Sequence, residues 1–167
     1  DVGYPTRKAQ MATRDPSRRW NDLIMKLVEQ GRLGQKAGKG WYRYEPGSRT
    51  PLRDPELEAF IVAESARMSI VRRPIGEGEI LERCLYSMIN EGVRILDEGV
   101  AARAVDIDMV WLYGYGFPAW RGGPMFYAHQ TGLPEVLRAI ETFRERLGAE
   151  FWTPAALLQR LVAAGKG

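Results

Sequence analysis

The sequence contains few residues of the kinds that usually carry covalent or metal chemistry. Of its 167 residues, one is cysteine (Cys84) and one is histidine (His129). A single thiol cannot form an internal disulfide, and one thiol with one imidazole cannot supply a zinc site built from those ligand types. We find neither an uninterrupted apolar run of about 18 residues nor an apolar signal segment near the N-terminus. These absences argue against a membrane-spanning or secreted protein and favour a reducing, cytosol-like compartment.

The size of the chain limits its architecture. At 18.9 kDa, with 45% hydrophobic and 27% charged residues, it has a globular composition and enough length for one compact domain or two very small ones. It is too short for a complete two-domain dehydrogenase or a barrel enzyme. No GxGxxG fingerprint and no βαβ pattern occur, so these residues are not expected to bind NAD as a Rossmann domain does. Because the chain opens on Asp1 and a polar stretch with no strand or cap signal before it, we expect a piece of a longer protein.

Positive charge is concentrated in the first third of the chain. Residues 1–53 contain twelve Lys or Arg against five acids, whereas residues 54–167 contain twelve against sixteen. We interpret the basic third as a solvated face beside a missing partner, and we expect no nucleic acid because no recognition motif occurs. The alternative function is a stand-alone helical interaction module that docks through this face on an acidic protein, a membrane surface or a polynucleotide.

Helix signals dominate and predict an all-α protein. A cap residue followed by proline occurs at Asp15 and at Asp54, each before an apolar stripe, and the first stripe should end at Gly31. Segment 33–53 is rich in Gly and Pro and is predicted to be a loop with a short extended piece at 41–44. Further helices are predicted at 79–99, 105–113, 124–129, 134–147 and 154–163.

A weak internal similarity bears on the architecture. Segment 18–34 resembles segment 150–167, with Trp20 opposite Trp152, if a gap of two residues is allowed. If the similarity is genuine, the chain contains the tail of one helical unit and all of a second.

Glycines and lysines crowd segment 34–40, GQKAGKG, which superficially resembles a phosphate-binding loop. The segment lacks the GxxxxGK[ST] spacing and no strand precedes it. We therefore interpret it as a connector whose glycines meet backbone requirements, and phosphate binding is the alternative.

Seven of the seventeen aromatic residues lie between Trp111 and Tyr127, separated by four glycines. Such a cluster could wall a ligand groove. Glycines among large rings also build tight corners between helices, and this is the interpretation we favour. Asp106 and Asp108 lie at or just inside a helix start, where a carboxylate is favourable near exposed N–H groups.

His129 and Cys84 invite catalytic interpretations that their surroundings do not support. His129 stands at the expected end of a short helix with no serine, thiol or acid in a recognisable motif. Cys84 falls on the apolar stripe of its helix and is predicted to be a small core residue. Nearby glutamates have no spacing with His or Cys that suggests a metal site, so we assign no catalytic, cofactor-binding or metal-binding residue.

Two segments resemble a known family. LGQKAGKGWYRYEPGSRTPLRDPELEAFI, residues 33–61, resembles the join between the two C-terminal helical domains of multifunctional β-oxidation enzymes, in which enoyl-CoA hydratase and 3-hydroxyacyl-CoA dehydrogenase share one polypeptide. Residues 79–129, with the runs GYGFP and RGGPMFYA, are similar to the second of those domains. The resemblance implies a helical bundle in which residues 1–50, the tail of the first domain plus a connector, pack on a complete second domain, residues 51–167.

The resemblance also implies what lies outside this sequence. In the family an upstream Rossmann domain binds NAD and carries the catalytic His and Glu, so the parent is expected to oxidise an L-3-hydroxyacyl-CoA to the 3-ketoacyl-CoA. The expected partners are the parent's Rossmann and hydratase domains and the acyl-CoA, with Lys36 and Lys39 as candidate CoA contacts. No cofactor or metal is expected in this piece, and the compartment would be the bacterial cytoplasm, or a peroxisome or mitochondrion. Two oligomeric states stay open. The second domain could pair with the remnant of the first in the same chain and give a monomer, whereas loss of most of the first domain would uncover apolar surface and favour a homodimer, which is the state that we favour.

One position implies that the second domain is catalytically silent. In the family an Asn-Arg pair near the start of the first helical domain assists at the substrate, and its counterpart here falls at Glu82 and Arg83. A carboxylate would repel a thioester oxygen or a developing oxyanion instead of donating a hydrogen bond to it. Two other departures, His129 where the family commonly has Asp and Ala37 where it has Ser or Thr, affect local hydrogen bonds only.

Overall fold

The computed structural model describes residues 1–15 and 20–166, and their regular structure is helical. The α-helices in these ranges are α1 (Tyr4–Gln10), α2 (Leu23–Glu29), α3 (Pro55–Arg67), α4 (Glu77–Asp97), α5 (Ala104–Gly114), α6 (Pro124–Thr131), α7 (Leu133–Leu147), α8 (Ala149–Trp152) and α9 (Ala156–Ala163). Short 3-10 turns cover Met11–Thr13, Gln35–Ala37 and Ala119–Arg121. Only isolated β-bridges accompany them in these ranges, so the predicted all-α class is confirmed. None of the helices described is both long enough and apolar enough to cross a membrane.

The chain divides into two compact units, Asp1–Arg73 and Pro74–Gly167. Helix α3 belongs to the first unit because its cap, Asp54, is bonded to Arg32 at the end of α2. The division thus falls after α3, whereas the family resemblance places a domain boundary between residues 50 and 51. That boundary, and the packing of a first repeat on a second, stay predictions.

The start predicted from the cap-plus-proline signal at Asp15 falls on residues outside the described ranges, but residues 20–22 are not helical, so a helix that runs through Trp20 is wrong. Pro16 lies outside the described residues, and the helix begins at Leu23. Local bonds shape the segment before it: Trp20 Nε1 donates to the carbonyl of Asp15 at 2.9 Å, and Leu23 N donates to Asn21 Oδ1 at 3.0 Å.

Helix α1 has no counterpart in the sequence prediction. Its N-cap, Gly3, makes no side-chain cap bond, and none of its residues is buried. Neither of the two main helix signals, a capping side chain and a buried apolar stripe, is therefore present. Pro5 in the first turn is the remaining signal.

Glycines shape the loop between α2 and α3, as predicted. Isolated bridges join Gly34 to Lys39, Lys39 to Arg43 and Arg43 to Leu52. Gly34 has a φ of +95°, and a Cβ on Gly40 would lie 2.6 Å from the Gly34 Cα. Gly34 is therefore favoured by its positive φ, and Gly40 is required by the close approach of the two backbone segments.

The second unit has the larger core, built from α4 to α9. Asn90, buried on α4, donates to the Thr153 carbonyl at 2.9 Å and accepts from Ala155 N at 2.8 Å, which fixes the start of α9. The buried hydrophobic residues of this core are Tyr86, Ile89, Val93, Ile107, Met125, Ala128, Val136, Ala139, Ile140, Phe143, Trp152, Ala155 and Leu158.

Helices α2 and α9, which fall in the two similar segments, end in the same way. Gly31 follows α2 and Gly165 follows α9, both with positive φ, and in each case the next residue donates back into the helix in a Schellman-type turn. The tryptophans do not correspond, because Trp152 is buried with its ring centroid 4.7 Å from that of Phe143, whereas Trp20 lies at the surface. The similarity is thus local to the helix ends.

Candidate functional site

The most specific motifs of the sequence build the corner between α5 and α6. The buried carboxylate of Asp108 accepts bonds from Met125 N at 2.7 Å and from Phe126 N at 3.0 Å, the first free N–H groups of α6. Burial raises the pKa of Asp108 above its ordinary value, and the two backbone bonds act in the opposite direction. Both carboxylate oxygens are thus engaged in capping a helix.

The glycines of RGGPMFYA are required by this corner. Gly122 and Gly123 both have positive φ, at +74° and +107°. A Cβ on Gly122 would overlap the Phe126 ring, and one on Gly123 would overlap the Asp108 carboxylate. The interpretation of the aromatic cluster as a tight helix corner is therefore confirmed for Gly122 and Gly123.

Large rings of the same cluster remain at the surface. Tyr113, Tyr115 and Trp120 are 83%, 72% and 77% exposed. The guanidinium of Arg121 lies 4.2 Å from the centroid of the Trp120 ring and 5.5 Å from that of Tyr127. The corner accounts for the glycines of the motif but not for these exposed rings.

Glu82, the counterpart of the family's asparagine, lines a small charged groove between α4 and α7. The groove has a volume of about 130 Å³ and is also lined by Glu79, Glu135, Arg138 and Arg146. Arg138 binds Glu135 through two nitrogens, and Arg146 Nη2 lies 3.7 Å from Glu79 Oε1. The Arg138 guanidinium holds the pKa of Glu135 below its ordinary value. The cations of the groove already have carboxylates beside them.

The structure corrects the prediction for Cys84, and it places both Cys84 and His129 at the surface. Cys84 is exposed, since the first turns of α4 extend beyond the core, so its predicted place in the core is wrong. His129 is exposed in the last turn of α6. Across residues 1–15 and 20–166 there is no cluster of three or more His, Cys, Asp or Glu that could hold a metal ion.

The loop with Lys36 and Lys39 uses its backbone donors internally. Gly34 N donates to Lys39 O at 2.9 Å, Gly38 N to Gln35 O at 3.0 Å, and Gly40 N to Tyr42 O at 2.8 Å. These N–H groups do not converge on a phosphate, as the donors of a phosphate-binding loop do. The structure therefore favours the connector interpretation of GQKAGKG.

The two lysines differ in their surroundings. Lys36 Nζ pairs with the Asp1 carboxylate, and Lys36 also lines a groove of about 420 Å³ together with Arg49. Lys39 is exposed, and among the described residues its ammonium has no carboxylate partner. The structure thus does not bring the two ammonium groups into one site.

Much of the charge in the basic first third is neutralised within the first unit. Arg18 and Arg19 lie outside the described residues. Five of the other basic residues between positions 1 and 53 pair with carboxylates, in the pairs Arg14–Asp22, Lys26–Glu64, Arg32–Asp54, Lys36–Asp1 and Arg53–Glu58. The first unit therefore presents less positive charge than its composition suggests.

The sequence does not predict the buried ion pair of the first unit. Arg32 Nη1 lies 2.6 Å from Asp54 Oδ2, with both side chains under one tenth exposed, and also donates to the Gly40 carbonyl at 3.2 Å. The bond from Arg32 holds the pKa of Asp54 below its ordinary value despite burial. Only the capping half of this arrangement has a signal in the sequence, the Asp-Pro pair at Asp54.

The fold and these sites define an all-α domain whose most specific motifs build a helix corner. The family model of the 3-hydroxyacyl-CoA dehydrogenase C-terminal domain matches residues 78–167. The chain belongs to this family, as its resemblance to the multifunctional β-oxidation enzymes implies.

Curated relatives match nearly the whole chain. The peroxisomal bifunctional enzymes of Danio rerio and Homo sapiens are 40% and 42% identical over 99% of it. The fatty acid oxidation complex subunit alpha of Shewanella amazonensis is 36% identical over 84% of it. The chain spans about a quarter of the length of the first two relatives, at 25% of each, and 19% of the third.

A solved structure has the same fold. It is the dehydrogenase part of multifunctional enzyme 1 from C. elegans, which matches with a TM-score of 0.63 at 21% sequence identity. The match covers 92% of this chain and 35% of that one. At this identity the likeness shows the fold alone.

Proposed function

We propose that the chain is the C-terminal helical region of a bifunctional or trifunctional fatty-acid β-oxidation enzyme, and that its own role is structural and not catalytic. The parent oxidises an L-3-hydroxyacyl-CoA to the 3-ketoacyl-CoA with NAD, and another of its domains hydrates an enoyl-CoA. The observation that carries this proposal is the family match over residues 78–167, together with the similarity of the whole chain to peroxisomal bifunctional enzymes. The described residues do not themselves fit NAD, because they offer no strand from which a dinucleotide-binding βαβ unit could be built.

The groove at Glu82 supports a silent role for the second unit. An oxyanion needs preorganised donors that are free to bind it. Glu82 contributes a carboxylate, and Arg138 and Arg146 are matched by Glu135 and Glu79. A thioester oxygen placed in this groove would meet acceptors and neutralised cations.

On the substrate side, we propose Lys39 as the first candidate for contact with the anionic CoA, and Lys36 as the second. The Lys39 ammonium is exposed without a carboxylate beside it, whereas a CoA phosphate would have to compete with Asp1 for Lys36. Partners within the parent would be its Rossmann and hydratase domains. The compartment would be a peroxisome in a eukaryote, as the names of several relatives suggest, with a mitochondrion as the alternative, and the cytoplasm in a bacterium.

Isothermal titration of the chain with acetoacetyl-CoA, with NAD in parallel, tests this proposal. We expect weak binding of the CoA ester, no binding of NAD, and a larger loss of affinity for Lys39→Ala than for Lys36→Ala. Arg7→Ala, which removes an exposed cation on α1, is the matched control and should leave binding unchanged. Binding of NAD would contradict the proposed division of labour, and equal losses in all three variants would contradict a specific contact at Lys39.

A further inference from the structure

Two cations stand directly opposite each other in the loop between α2 and α3. An isolated antiparallel bridge joins Lys39 to Arg43. The backbone hydrogen bonds that flank this pair are both 2.8 Å long, from Gly40 N to Tyr42 O and from Tyr44 N to Gly38 O. This pattern defines a non-hydrogen-bonded pair, in which the Cα atoms lie about 4.5 Å apart and both side chains leave on the same side. The Lys39 and Arg43 side chains therefore begin next to each other.

Neither of these cations has a carboxylate beside it. In residues 1–15 and 20–166, no acidic side chain forms an ion pair with Lys39 or Arg43, and both are exposed. By contrast, Arg53 of the same loop binds Glu58 through two nitrogens, at 2.8 and 2.9 Å. Like charges directly opposite each other destabilise an antiparallel pair. A bound anion would offset this repulsion.

The backbone of the loop fixes the two cations in this arrangement. A Cβ on Gly40 would lie 2.6 Å from the Gly34 Cα, so the close approach beside the bridge depends on glycine. On the other side, Arg43 and Leu52 exchange both of their backbone hydrogen bonds, each at 2.9 Å. The positions of the two cations are thus set by backbone bonds and do not depend on a ligand.

The donors of the pair are accessible. Arg43 Nε donates to the Arg53 carbonyl at 3.4 Å, and its two terminal nitrogens have no partner within the described ranges. Gly34, which is bridged to Lys39, has no side chain, and no heavy atom lies within 4 Å of the position that its Cβ would take. An anion can therefore approach both cations from solvent.

A phosphate monoester matches this pair better than a carboxylate does. A guanidinium offers a fork of N–H groups that fits two phosphate oxygens, and an ammonium contacts another oxygen as a point charge. A phosphate monoester carries a charge of about −1.5 to −2 at neutral pH, so that one group balances both cations, whereas one carboxylate balances a single cation. CoA, on whose esters the proposed parent acts, has a phosphate monoester on the 3′ carbon of its ribose.

We propose that Lys39 and Arg43 together form a binding site for a phosphate monoester, and that in the parent enzyme its ligand is the 3′-phosphate of CoA. The site adds Arg43 to the contact proposed above for Lys39, and it specifies which group of CoA is bound. The assignment to CoA rests on the proposed function, whereas the phosphate site itself rests only on the geometry of the loop.

Isothermal titration of the unaltered chain at low ionic strength tests the inference with three probes, CoA, 3′-dephospho-CoA and adenosine 3′-monophosphate. We expect CoA and adenosine 3′-monophosphate to bind, and 3′-dephospho-CoA to bind at least about 10-fold more weakly than CoA. Equal affinities for CoA and 3′-dephospho-CoA, or no binding of any probe, would overturn the inference. Binding of adenosine 3′-monophosphate without binding of CoA would support the phosphate site and refute its assignment to CoA. Binding of NAD, which would contradict the proposed division of labour, leaves this comparison unchanged.

Two variants test the named residues. Lys39→Gln and Arg43→Gln should each weaken binding of CoA at least about 10-fold and leave that of 3′-dephospho-CoA unchanged. Both positions are exposed and the bridge uses backbone bonds, so we expect native circular dichroism. The comparison of CoA with 3′-dephospho-CoA needs no variant and decides the matter if either one misfolds.

Arg49→Gln is the matched control. Arg49 is an exposed cation of the same loop, and it lines a groove to which neither Lys39 nor Arg43 contributes. Its replacement removes the same charge and should change the affinity for CoA by less than about 2-fold. Equal losses in all three variants would overturn the inference, because they would indicate a general attraction of CoA to a basic loop.

Discussion

Asp54→Ala is expected to destabilise the first unit by about 4 kcal/mol, mainly because it leaves the Arg32 guanidinium buried without its carboxylate. The two side chains are 2% and 7% exposed, with Nη1 2.6 Å from Oδ2. Removing one partner of a buried pair costs about 3–5 kcal/mol. The lower end applies here, because Arg32 Nη2 also lies 3.6 Å from the carboxylate of the exposed Glu56, and that contact would persist.

The lost helix cap accounts for about 1 kcal/mol of the destabilisation expected for Asp54→Ala. Asp54 Oδ1 accepts from Glu56 N at 3.1 Å and from Leu57 N at 3.4 Å at the start of α3. Asp54→Asn keeps a capping oxygen and removes the charge, so it should cost about 3 kcal/mol. Arg32→Met combined with Asp54→Asn removes both charges and should lie within about 1–2 kcal/mol of the unaltered chain.

Asp54→Ala should destabilise the first unit and leave the second unit folded, because the core of the first unit is small. Its buried hydrophobic residues among those described are Met25, Leu27 and Leu57, so a loss of this size is comparable with the whole stability of a small domain. Urea titration followed by amide hydrogen exchange with mass spectrometry reports each unit separately. Peptides from residues 20–73 should lose protection in Asp54→Ala while those from 74–166 keep it.

Glu58→Ala provides the control, since it removes the exposed pair with Arg53 and should change the stability by less than about 0.5 kcal/mol. A loss below about 1 kcal/mol for Asp54→Ala would refute the reasoning. Equal loss of hydrogen-exchange protection in both units would also refute it. So would a lower stability of the double variant Arg32→Met/Asp54→Asn than of Asp54→Asn alone.

Four further predictions concern acidity and the second unit. Because the folded-state pKa of Asp54 is lowered, its stabilisation of the first unit is complete above its ordinary value of 3.8 and disappears as pH falls through the folded pKa, so urea midpoints should drop in acid. Asp108 should have the opposite effect on the pH dependence of stability. Its folded-state pKa is raised, so acidification from neutral pH should stabilise the second unit. A fall of the urea midpoint in both units on acidification would contradict this prediction. Asp108→Ala leaves Met125 N and Phe126 N without acceptors and should cost about 2–4 kcal/mol by thermal unfolding, whereas exposed Asp106→Ala should cost less than about 1 kcal/mol. Trp152→Ala should lower the free energy of unfolding by about 3–5 kcal/mol, and Trp20→Ala, at the surface, should lower it by far less. Similar losses in the two variants would indicate that the two tryptophans have equivalent roles.

Helices with strong end signals are predictable in this chain, and those without them are not. The Asp-Pro signal at Asp54 correctly predicts α3, because cap and helix are neighbours in the sequence and the bonds are local. After the same signal at Asp15, residues 16–19 lie outside the described ranges, and residues 20–22 are not helical but carry the local bonds of Trp20 and Asn21. Helix α1, with neither a capping side chain nor a buried face, has almost nothing in its sequence to reveal it.

In the candidate sites, too, some features can be predicted from the sequence and others cannot. The glycines of the α5–α6 corner are recognisable because positive φ and close approach leave few alternatives to glycine. The exposure of the aromatic rings beside these glycines cannot be predicted from the sequence, since the same composition suits a buried groove and an open face. The partner of Arg32 is likewise hidden, because Asp54 lies 22 positions away and no periodicity connects the two.

The amino-acid sequence is sufficient to predict the helical class, most helix positions in the second unit and, through GYGFP and RGGPMFYA, the resemblance to the family. These depend on contacts within a few residues or on motifs long enough to be specific. Which parts of each apolar stripe are buried depends on the tertiary packing. On α4 the stripe runs on from Cys84 to Val93, but Ile89 and Val93 are buried in the core whereas Cys84 is exposed. Periodicity defines a face of a helix, whereas the positions of the neighbouring helices decide how much of that face is covered.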